Sequence, residues 1–428
     1  MRFTENNISL FLLGIFIIGS FFVFAPTYSY AATLEVGAGR TYSTIQAAVN
    51  ASVAGDTVLV YPGTYNENVL IPDGKQGTAT SPIIIKAQYP ARKPLDGGAW
   101  ADTTDKRSVV NAGSGVAAFY NEEFNSTNQA LWVRYIIIDG FYILGGGGLS
   151  RYSSGGGIFF ENDDNIWIRN NAIYNTNPYR ALNPNGEQTA NIYLKFTDNS
   201  LVQNNYLEYS YVEAYSTSAF LINNSGGSNI VEYNENYIGP GAVIGSFAYI
   251  RVGSDPFIYR YNYVKSEANN GGNLFARFRS DINYTITNNY FRSTVAQQYL
   301  VVHESVDTEI PESTPENHRL NNNTFYFDQG VFDNRGMFGL GYLSGTEVNN
   351  NIFYSGVNDT GSYAIRAFAL TTNYSVTIDS NVYYNLINLV DTLLGGYTET
   401  NTSNTNPNIN TTTGCASSVS NNTYGANL

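Results

Sequence analysis

The sequence predicts an all-β stacked-repeat fold, a solenoid with a short helical cap at its first end. Three observations predict it: a phrase that returns at near-constant intervals, an amphipathic helix followed by short strands, and an aromatic-rich, charge-poor composition. The phrase is Asn-x-aromatic or its close variant, each copy preceded by a short β-rich run. It begins at Asn171, Asn205, Asn236, Asn262, Asn289, Asn323, Asn351 and Asn381, with steps of 34, 31, 26, 27, 34, 28 and 30 residues. A phrase with a period of roughly 20–50 residues marks stacked units, because one such unit cannot bury its apolar face alone. Asparagine suits tight corners, since it tolerates left-handed backbone and bonds locally to it. The ladder therefore reads as structural, with the aromatic two or three residues later packed inside.

Ahead of the ladder, Thr33 to Ala51 reads as a short strand and then a helix over Ser43–Asn50, with Ser43 as N-cap. Ile45, Ala48 and Val49 fall on one helical face. Gly55 to Tyr65 reads as a strand ending in a Pro-Gly turn, and Asn68–Ile71 and Ser81–Ala87 supply further strands. A helix in front of short strands is what a solenoid needs to cover its terminal apolar face.

The chain has 428 residues, a net charge of −13, 13% charged and 14% aromatic residues, which excludes disorder. Its acidity disfavours nucleic acid as a partner, since phosphate binding needs a basic footprint. Residues 8–24 form an apolar run after Arg2, followed by Pro26 and the small residues Ser29, Ala31 and Ala32. This reads as a secretory signal over residues 1–31 and a body outside the cytoplasm; an uncleaved membrane anchor is the other reading. Cys415 is the single cysteine, so no intrachain disulfide forms. From residue 391 to 428 the pattern decays into Asn, Thr and Ser, a terminal wrap or tail. One elongated monomeric body over residues 32–390 is expected.

The stretches "TYSTIQAAVNASVAGDTVLVYPGTYNENVLI" and "GTATSPIIIKAQYPARKPLDGGAW", together with the asparagine ladder, resemble the right-handed parallel β-helix proteins. Pectate lyases, alginate and chondroitin lyases and pectin methylesterases share that opening. The resemblance covers nearly the whole chain after the apolar segment. It implies a single-stranded right-handed parallel β-helix in which corner asparagines hydrogen-bond along their column, and it implies a carbohydrate-directed, secreted protein. It is far less specific for chemistry. "ENDDN" (161–165) lacks the third aspartate of the calcium-dependent pectate lyases, and Lys265-Ser266-Glu267 only partly resembles the Glu-x-Glu and lysine of the other lyases.

Strands alternate inward and outward side chains, so aligning the coils exposes outward columns. Lys195, Asn223, Arg251, Arg277 and His303 fall in one such column at steps of 28, 28, 26 and 26, with Arg279 beside them and Arg366 closing the series. Tyr193, Tyr249, Phe275 and Tyr299 accompany them two to four residues earlier. Like charges ~5 Å apart repel, so a cation column makes sense where an anionic polymer lies along it, its carboxylates on the cations and its sugar faces on the aromatics. The bland reading is coincidental arginines on a solvated face. Asp198, Asp255 and Asp281, with Asp164 and Asp307, sit at strand ends. They read first as turn residues and second as Ca²⁺ ligands.

Such a site suits β-elimination from a uronate. Cations or Ca²⁺ neutralise the carboxylate, a base removes the α-proton, and an acid protonates the leaving oxygen. Arg251, Arg277, Arg279, Lys195 and His303 are the candidate catalytic residues, with Tyr193, Asn223, Tyr249, Phe275 and Tyr299 the candidate substrate contacts. The leading reading is a polysaccharide lyase acting on an acidic polysaccharide. A non-catalytic surface protein that binds polysaccharide is the second. A glycoside hydrolase using two carboxylates such as Asp255 and Asp281 is the third.

Overall fold

The computed structural model describes residues 31–113, 116–121, 128–146, 155–174, 189–209, 217–225, 228–240, 246–252, 256–267, 274–280, 284–295, 299–303, 318–329, 338–340, 346–367, 376–392, 397–400, 416–420 and 423–425. The segment read as a signal or anchor lies outside them. The chain divides into two units, Met1–Ala32 and Thr33–Leu428, and the second is the β-rich body. Among the described residues no helix is long and apolar enough to cross a membrane.

The second unit is a parallel β-helix whose coils run through three faces. Face 1 stacks strands from Thr33–Val36 to Ala416–Ser420. Face 2 stacks Gly63–Tyr65 through to Thr423–Gly425. Face 3 stacks Val69–Ile71 through to the end of Val382–Thr392. Each ladder is parallel, except that Tyr397–Thr400 pairs antiparallel with Val382–Thr392. Ala416–Ser420 and Thr423–Gly425 join faces 1 and 2, so the stack continues beyond residue 390.

The first end carries α1 (Ile45–Ala51), which buries Ile45, Ala48 and Val49 as their spacing predicts. Its cap is Thr44, whose hydroxyl accepts from the Ala47 N–H at 3.2 Å, rather than the expected Ser43. The Glu67 carboxylate takes the Ile45 and Gln46 N–H groups, each at 3.0 Å, so donors that a helix start leaves orphaned are satisfied. At the other end Lys75 Nζ donates to the Asn50 and Ser52 carbonyls. The helix is thereby fastened to the first coils from both termini.

The core is built from inward columns. On face 1 they run through Ile136, Ile166, Ile168, Val202, Val231, Tyr259, Ile286, Leu320 and Val348, all buried. On face 2, Phe291, Phe325 and Phe353 stack at 5.2 and 5.0 Å. The second residue after each corner asparagine is thus the inward one, whereas Tyr263 and Tyr290, directly after the asparagine, stack outside and are half-buried.

The corner between faces 1 and 2 repeats one local conformation. Asn170, Asn204, Tyr233, Tyr261, Asn288, Asn322, Asn350 and Ser380 all have φ between 50° and 60°. Left-handed backbone costs roughly 1–2 kcal/mol for most L-residues, and asparagine tolerates it best after glycine. The residue after each is the ladder asparagine. Asn205 Oδ1 accepts the Asn171 N–H and side-chain amide, each at 3.0 Å, and the pattern repeats through Asn234, Asn262, Asn289, Asn323, Asn351 and Asn381. Each amide also donates to a neighbouring coil's carbonyl, Asn262 Nδ2 to Val231 O at 3.0 Å for example.

One expected rung is corrected. Asn236 is not on the ladder; Asn234 is, because it follows the left-handed Tyr233. Asn236 lies instead in the inward column between Leu207 and Val264, buried, with Oδ1 lacking a hydrogen-bond partner. Two chemically identical residues two positions apart, Asn234 and Asn236, therefore carry unequal energetic weight. Asn234→Ala strips several inter-coil bonds at once and is expected to destabilise by about 3–5 kcal/mol. Asn236 makes no amide bridge between coils, its side chain meeting only the Tyr259 hydroxyl, and Asn236→Leu is expected to cost no more than about 1–2 kcal/mol. Chemical denaturation of both variants checks this, and equal losses would contradict the assignment of the rungs.

His318 is buried in an inward column with its ring 4.0 Å from that of Tyr284, and burial pushes its imidazole down to about 3. Unfolded, it titrates near 6.5. The unfolded state therefore takes up a proton first as the pH falls, and stability present above pH ~6.5 is lost progressively toward pH ~3. His318→Phe should remove this contribution. In thermal melts from pH 7 to 3 the variant should lose less stability than the parent, and parallel curves would exclude His318 as the acid-sensitive group.

Candidate functional site

Face 3 carries the predicted cation column, and its backbone register sorts the residues differently from the sequence alignment. Lys195 pairs with Glu161 on one side and Asn223 on the other, then Arg251 and Arg279 follow. Arg277 belongs to the adjacent column, with Tyr193, Leu221, Tyr249, Val302, Gly339 and Arg366. His303 pairs with Phe278, in the column of Leu194, whose side chain is in the core. Phe275 precedes Arg277 by two residues, one outward column further from Lys195 than Tyr249, and Tyr299 pairs with Leu274. The expected series Lys195–Asn223–Arg251–Arg277–His303 is therefore Lys195–Asn223–Arg251–Arg279. The cause is mechanical: the asparagine phrase anchors the face 1–face 2 corner, and loops of unequal length between that corner and face 3 shift the register. A one-residue shift exchanges the two sets of alternating positions on a strand, and the backbone of His303 falls in the other set from Lys195. For Asn223, Tyr249, Arg251, Phe275, Arg277, Arg279, Tyr299 and His303 the backbone position is what the structure describes.

Around Lys195 the side chains are defined. Lys195 Nζ meets Glu161 Oε1 at 2.6 Å, with Glu161 2% exposed and Lys195 26%. A buried carboxylate paired with a half-buried ammonium holds that ammonium in place, and losing either partner strands a charge. The next residue, Phe196, has φ 51°, and the Lys195 ammonium lies 5.3 Å from its ring centre. A bulky side chain in left-handed backbone is strained, and such strain collects at functional sites. Tyr193 is 2% exposed and meets Phe159 edge-on at 5.2 Å, with Ala117 and Ala190 in the same cluster. It is a packing residue that offers no ring face to a sugar, contrary to the expectation from strand alternation alone.

Asp163 in "ENDDN" was not singled out from sequence, and the structure buries it completely. Its Oδ1 accepts from Val133 N–H at 3.0 Å and from the Asn121 amide at 3.1 Å, while Oδ2 is buried without a hydrogen bond. Burial, reinforced by the nearby Glu161 and Asp73 carboxylates, raises its pKa well above the usual carboxylate range, although the Val133 bond acts the other way. The only sequence signal was a run of acids beside strand residues, which turn chemistry explains equally well.

The expected metal residues divide. Asp198 is half-buried and in register with Asp164. Asp164 Oδ1 already accepts from the Asn165 and Asn199 amides at 2.8 and 3.0 Å, as a corner residue does. Asp255, Asp281 and Asp307 lie outside the described residues. Among the described residues no three His, Cys, Asp or Glu side chains approach one another as a metal site requires.

No protein-family model matches the chain, and no curated protein matches it in sequence. Its fold is similar to that of solved structures. One is a DFA-IIIase from Arthrobacter chlorophenolicus A6 in complex with DFA-III, at 13% identity over 87% of this chain and 86% of that one, TM-score 0.51. Another is the catalytic unit of a thermostable GH87 alpha-1,3-glucanase from Streptomyces thermodiastaticus strain HF3-3, at 11% identity over 89% and 66%, TM-score 0.50. A third is a PL6 family polysaccharide lyase from Pseudopedobacter saltans, at 14% identity over 92% of both chains, TM-score 0.49. At such identities the likeness concerns the fold.

Asp163 gives a test of opposite sign to that of His318. Its carboxyl stays protonated in the folded state at pH values where the unfolded chain, with a carboxyl pKa of about 4, has released the proton. Folding stability therefore falls as the pH rises from about 4 toward the raised pKa. Asp163→Asn keeps the acceptor for Val133 and Asn121 and removes the titration. The variant should match the parent below pH ~4 and become the more stable of the two as pH rises. A constant difference across pH 3–8 in thermal melts would refute the protonated assignment.

Proposed function

We propose that the protein is an exported carbohydrate-active enzyme that binds an acidic, uronate-containing polysaccharide along face 3 and cleaves it by β-elimination. The observation that supports this most is the face 3 register, in which Arg251 and Arg279 are direct neighbours in the column that Lys195 and Asn223 begin, and Arg277 and Arg366 share the next column with Val302 and Gly339 between them. A chain with a net charge of −13 has few cations to place, and stacking them costs repulsion unless an anion is bound. Arg251 is suited to neutralise the substrate carboxylate, which stabilises the carbanion formed on loss of the α-proton, while Lys195, whose charge Glu161 balances, can offer the substrate a hydrogen bond. Arg277 and Arg279, two apart on one strand, are the candidates for base and for donor to the leaving oxygen. His303 is left out because its column is that of Leu194. Ca²⁺ is not assigned a step, since Asp164 is engaged by corner amides. Export rests on the N-terminal apolar segment. That a DFA-IIIase and a glucanase share the fold is consistent with carbohydrate chemistry.

Purified protein incubated with alginate, pectate and glycosaminoglycans, each with Ca²⁺ or chelator, should release products absorbing in the ultraviolet at the new double bond. Arg251→Ala and Arg279→Ala should each lower turnover about 100-fold or more, while Arg319→Ala, exposed on face 1, should not. Reducing ends without unsaturation would select a hydrolase. Retention of polymer without turnover would select a binding protein.

A further inference from the structure

Face 1 and its corner with face 2 break the local rules in a way that folding does not require. The residue before each ladder rung is left-handed, and asparagine or serine occupies it at 170, 204, 288, 322, 350 and 380. At 233 and 261 it is tyrosine, with φ 57° and 56°. The two rings stack 4.9 Å apart within 8° of parallel, yet remain 39% and 45% exposed. They protrude from the corner, so their burial offsets little of the strain.

The adjoining surface has matching chemistry. Trp167, 39% exposed, follows Ile137 in an outward row that continues in register through Leu201, Ile230 and Ile258. Between that row and the tyrosines lies a row of planar polar groups. Gln203 Nε2 and Arg260 Nε each donate to the Glu232 carboxylate at 2.6 Å, and Arg169 Nε donates to Asp139 at 2.9 Å. Each of these charges has an opposite partner, so the row attracts neither polyanion nor polycation. Aromatic faces flanking fixed, mutually neutralised hydrogen-bonding groups suit a ligand with apolar C–H faces and a rim of hydroxyls.

We propose that the surface formed by Trp167, Tyr233, Tyr261 and the Gln203–Glu232–Arg260 row is a binding site for an uncharged polysaccharide strand. From Trp167 to Tyr261 the site crosses three coil steps, roughly 14 Å along the axis, enough for several sugar rings. It is separate from the face 3 column; its own ligand does not rest on the reading given to that column, although a joint role for the two surfaces does. It would hold the protein on a neutral glycan while face 3 engages an acidic one.

Substitution by the residue that serves the other corners gives a clean test. The full chain is run in native affinity gels containing glucomannan, xyloglucan, laminarin or dextran, with alginate as the acidic comparison. Retardation by at least one neutral polymer is expected. Tyr233→Asn/Tyr261→Asn should weaken it at least 10-fold while the melting temperature holds or rises, because asparagine accepts the left-handed corner. Trp167→Ala should weaken it independently, and turnover of an acidic polymer should be unchanged in all variants. No retardation by any neutral polymer overturns the proposal, as does equal retardation of the double variant. A concentration-dependent dimer that the double substitution dissolves also overturns it, in favour of contact between two copies.

Discussion

The side-chain amide that bridges one coil to the next at the face 1–face 2 corner is the contact on which this solenoid depends. A left-handed residue turns the chain sharply there, and the turn leaves backbone N–H and carbonyl groups that the flanking strands do not pair. No water reaches them, so each would cost a desolvated polar group. Asparagine resolves the problem with one side chain: Oδ1 accepts the N–H and amide of the coil before, and Nδ2 donates to a carbonyl of the coil before, to one of its own coil and to the next rung's Oδ1. Because each amide both gives and receives, the column is a continuous chain of hydrogen bonds from Phe141 N–H to Asn381.

Fixing that corner has unequal consequences around the coil. Strands next to it, on faces 1 and 2, keep strict register, and their outer residues form ordered rows such as the Gln203–Glu232–Arg260 series and the Tyr263–Tyr290 stack. Ladder steps nevertheless vary from 27 to 34 residues. The difference is taken up in loops away from the corner. Face 3 lies beyond those loops, so its register is set by their lengths and by strand pairing, with no amide ladder to enforce it. A surface free of that constraint can vary its outward residues coil by coil, which suits it to substrate chemistry.

The same asymmetry explains what the sequence made legible. The ladder, its inward aromatics and α1 were readable because each is a local pattern: a repeated phrase, or Ile45, Ala48 and Val49 at helical spacing. Ser43 and Thr44 both carry a hydroxyl, and only the geometry that brings Thr44 Oγ1 to Ala47 N decides between them. Asn234 and Asn236 both satisfy the phrase, and only the left-handed residue in front of Asn234 separates them. On face 3 the cations were visible and their columns were not, since Arg277 and His303 were placed by counting through unequal loops. Tyr193 was placed on the correct side of its strand, but alternation cannot tell that Phe159 and Ala117 would bury it.

What remains is a set of residues that violate local preference, and exposure divides them by meaning. Asn236 and His318 are polar groups in inward columns, enclosed by neighbouring coils, and no ligand can reach them. Their cost is tolerated by a core that is otherwise long and apolar. Phe196, Tyr233 and Tyr261 are strained in backbone rather than mismatched in polarity, and each lies at the surface of a corner. A solenoid offers an inexpensive remedy at such corners, because asparagine fits the conformation and already serves it in neighbouring coils. Keeping a tyrosine at 233 and 261 forgoes that remedy with little burial gained, whereas Phe196 is half-buried. The return must therefore come from something outside the chain. At Phe196 the neighbouring feature is an ammonium fixed by a buried carboxylate, and at Tyr233 and Tyr261 it is a charge-balanced polar row. At both corners the neighbouring charge is balanced by an opposite partner, so both surfaces present fixed hydrogen-bonding groups beside an aromatic ring. Strain at both is the physical sign that the outside of this β-helix, more than its core, is where its specificity is written.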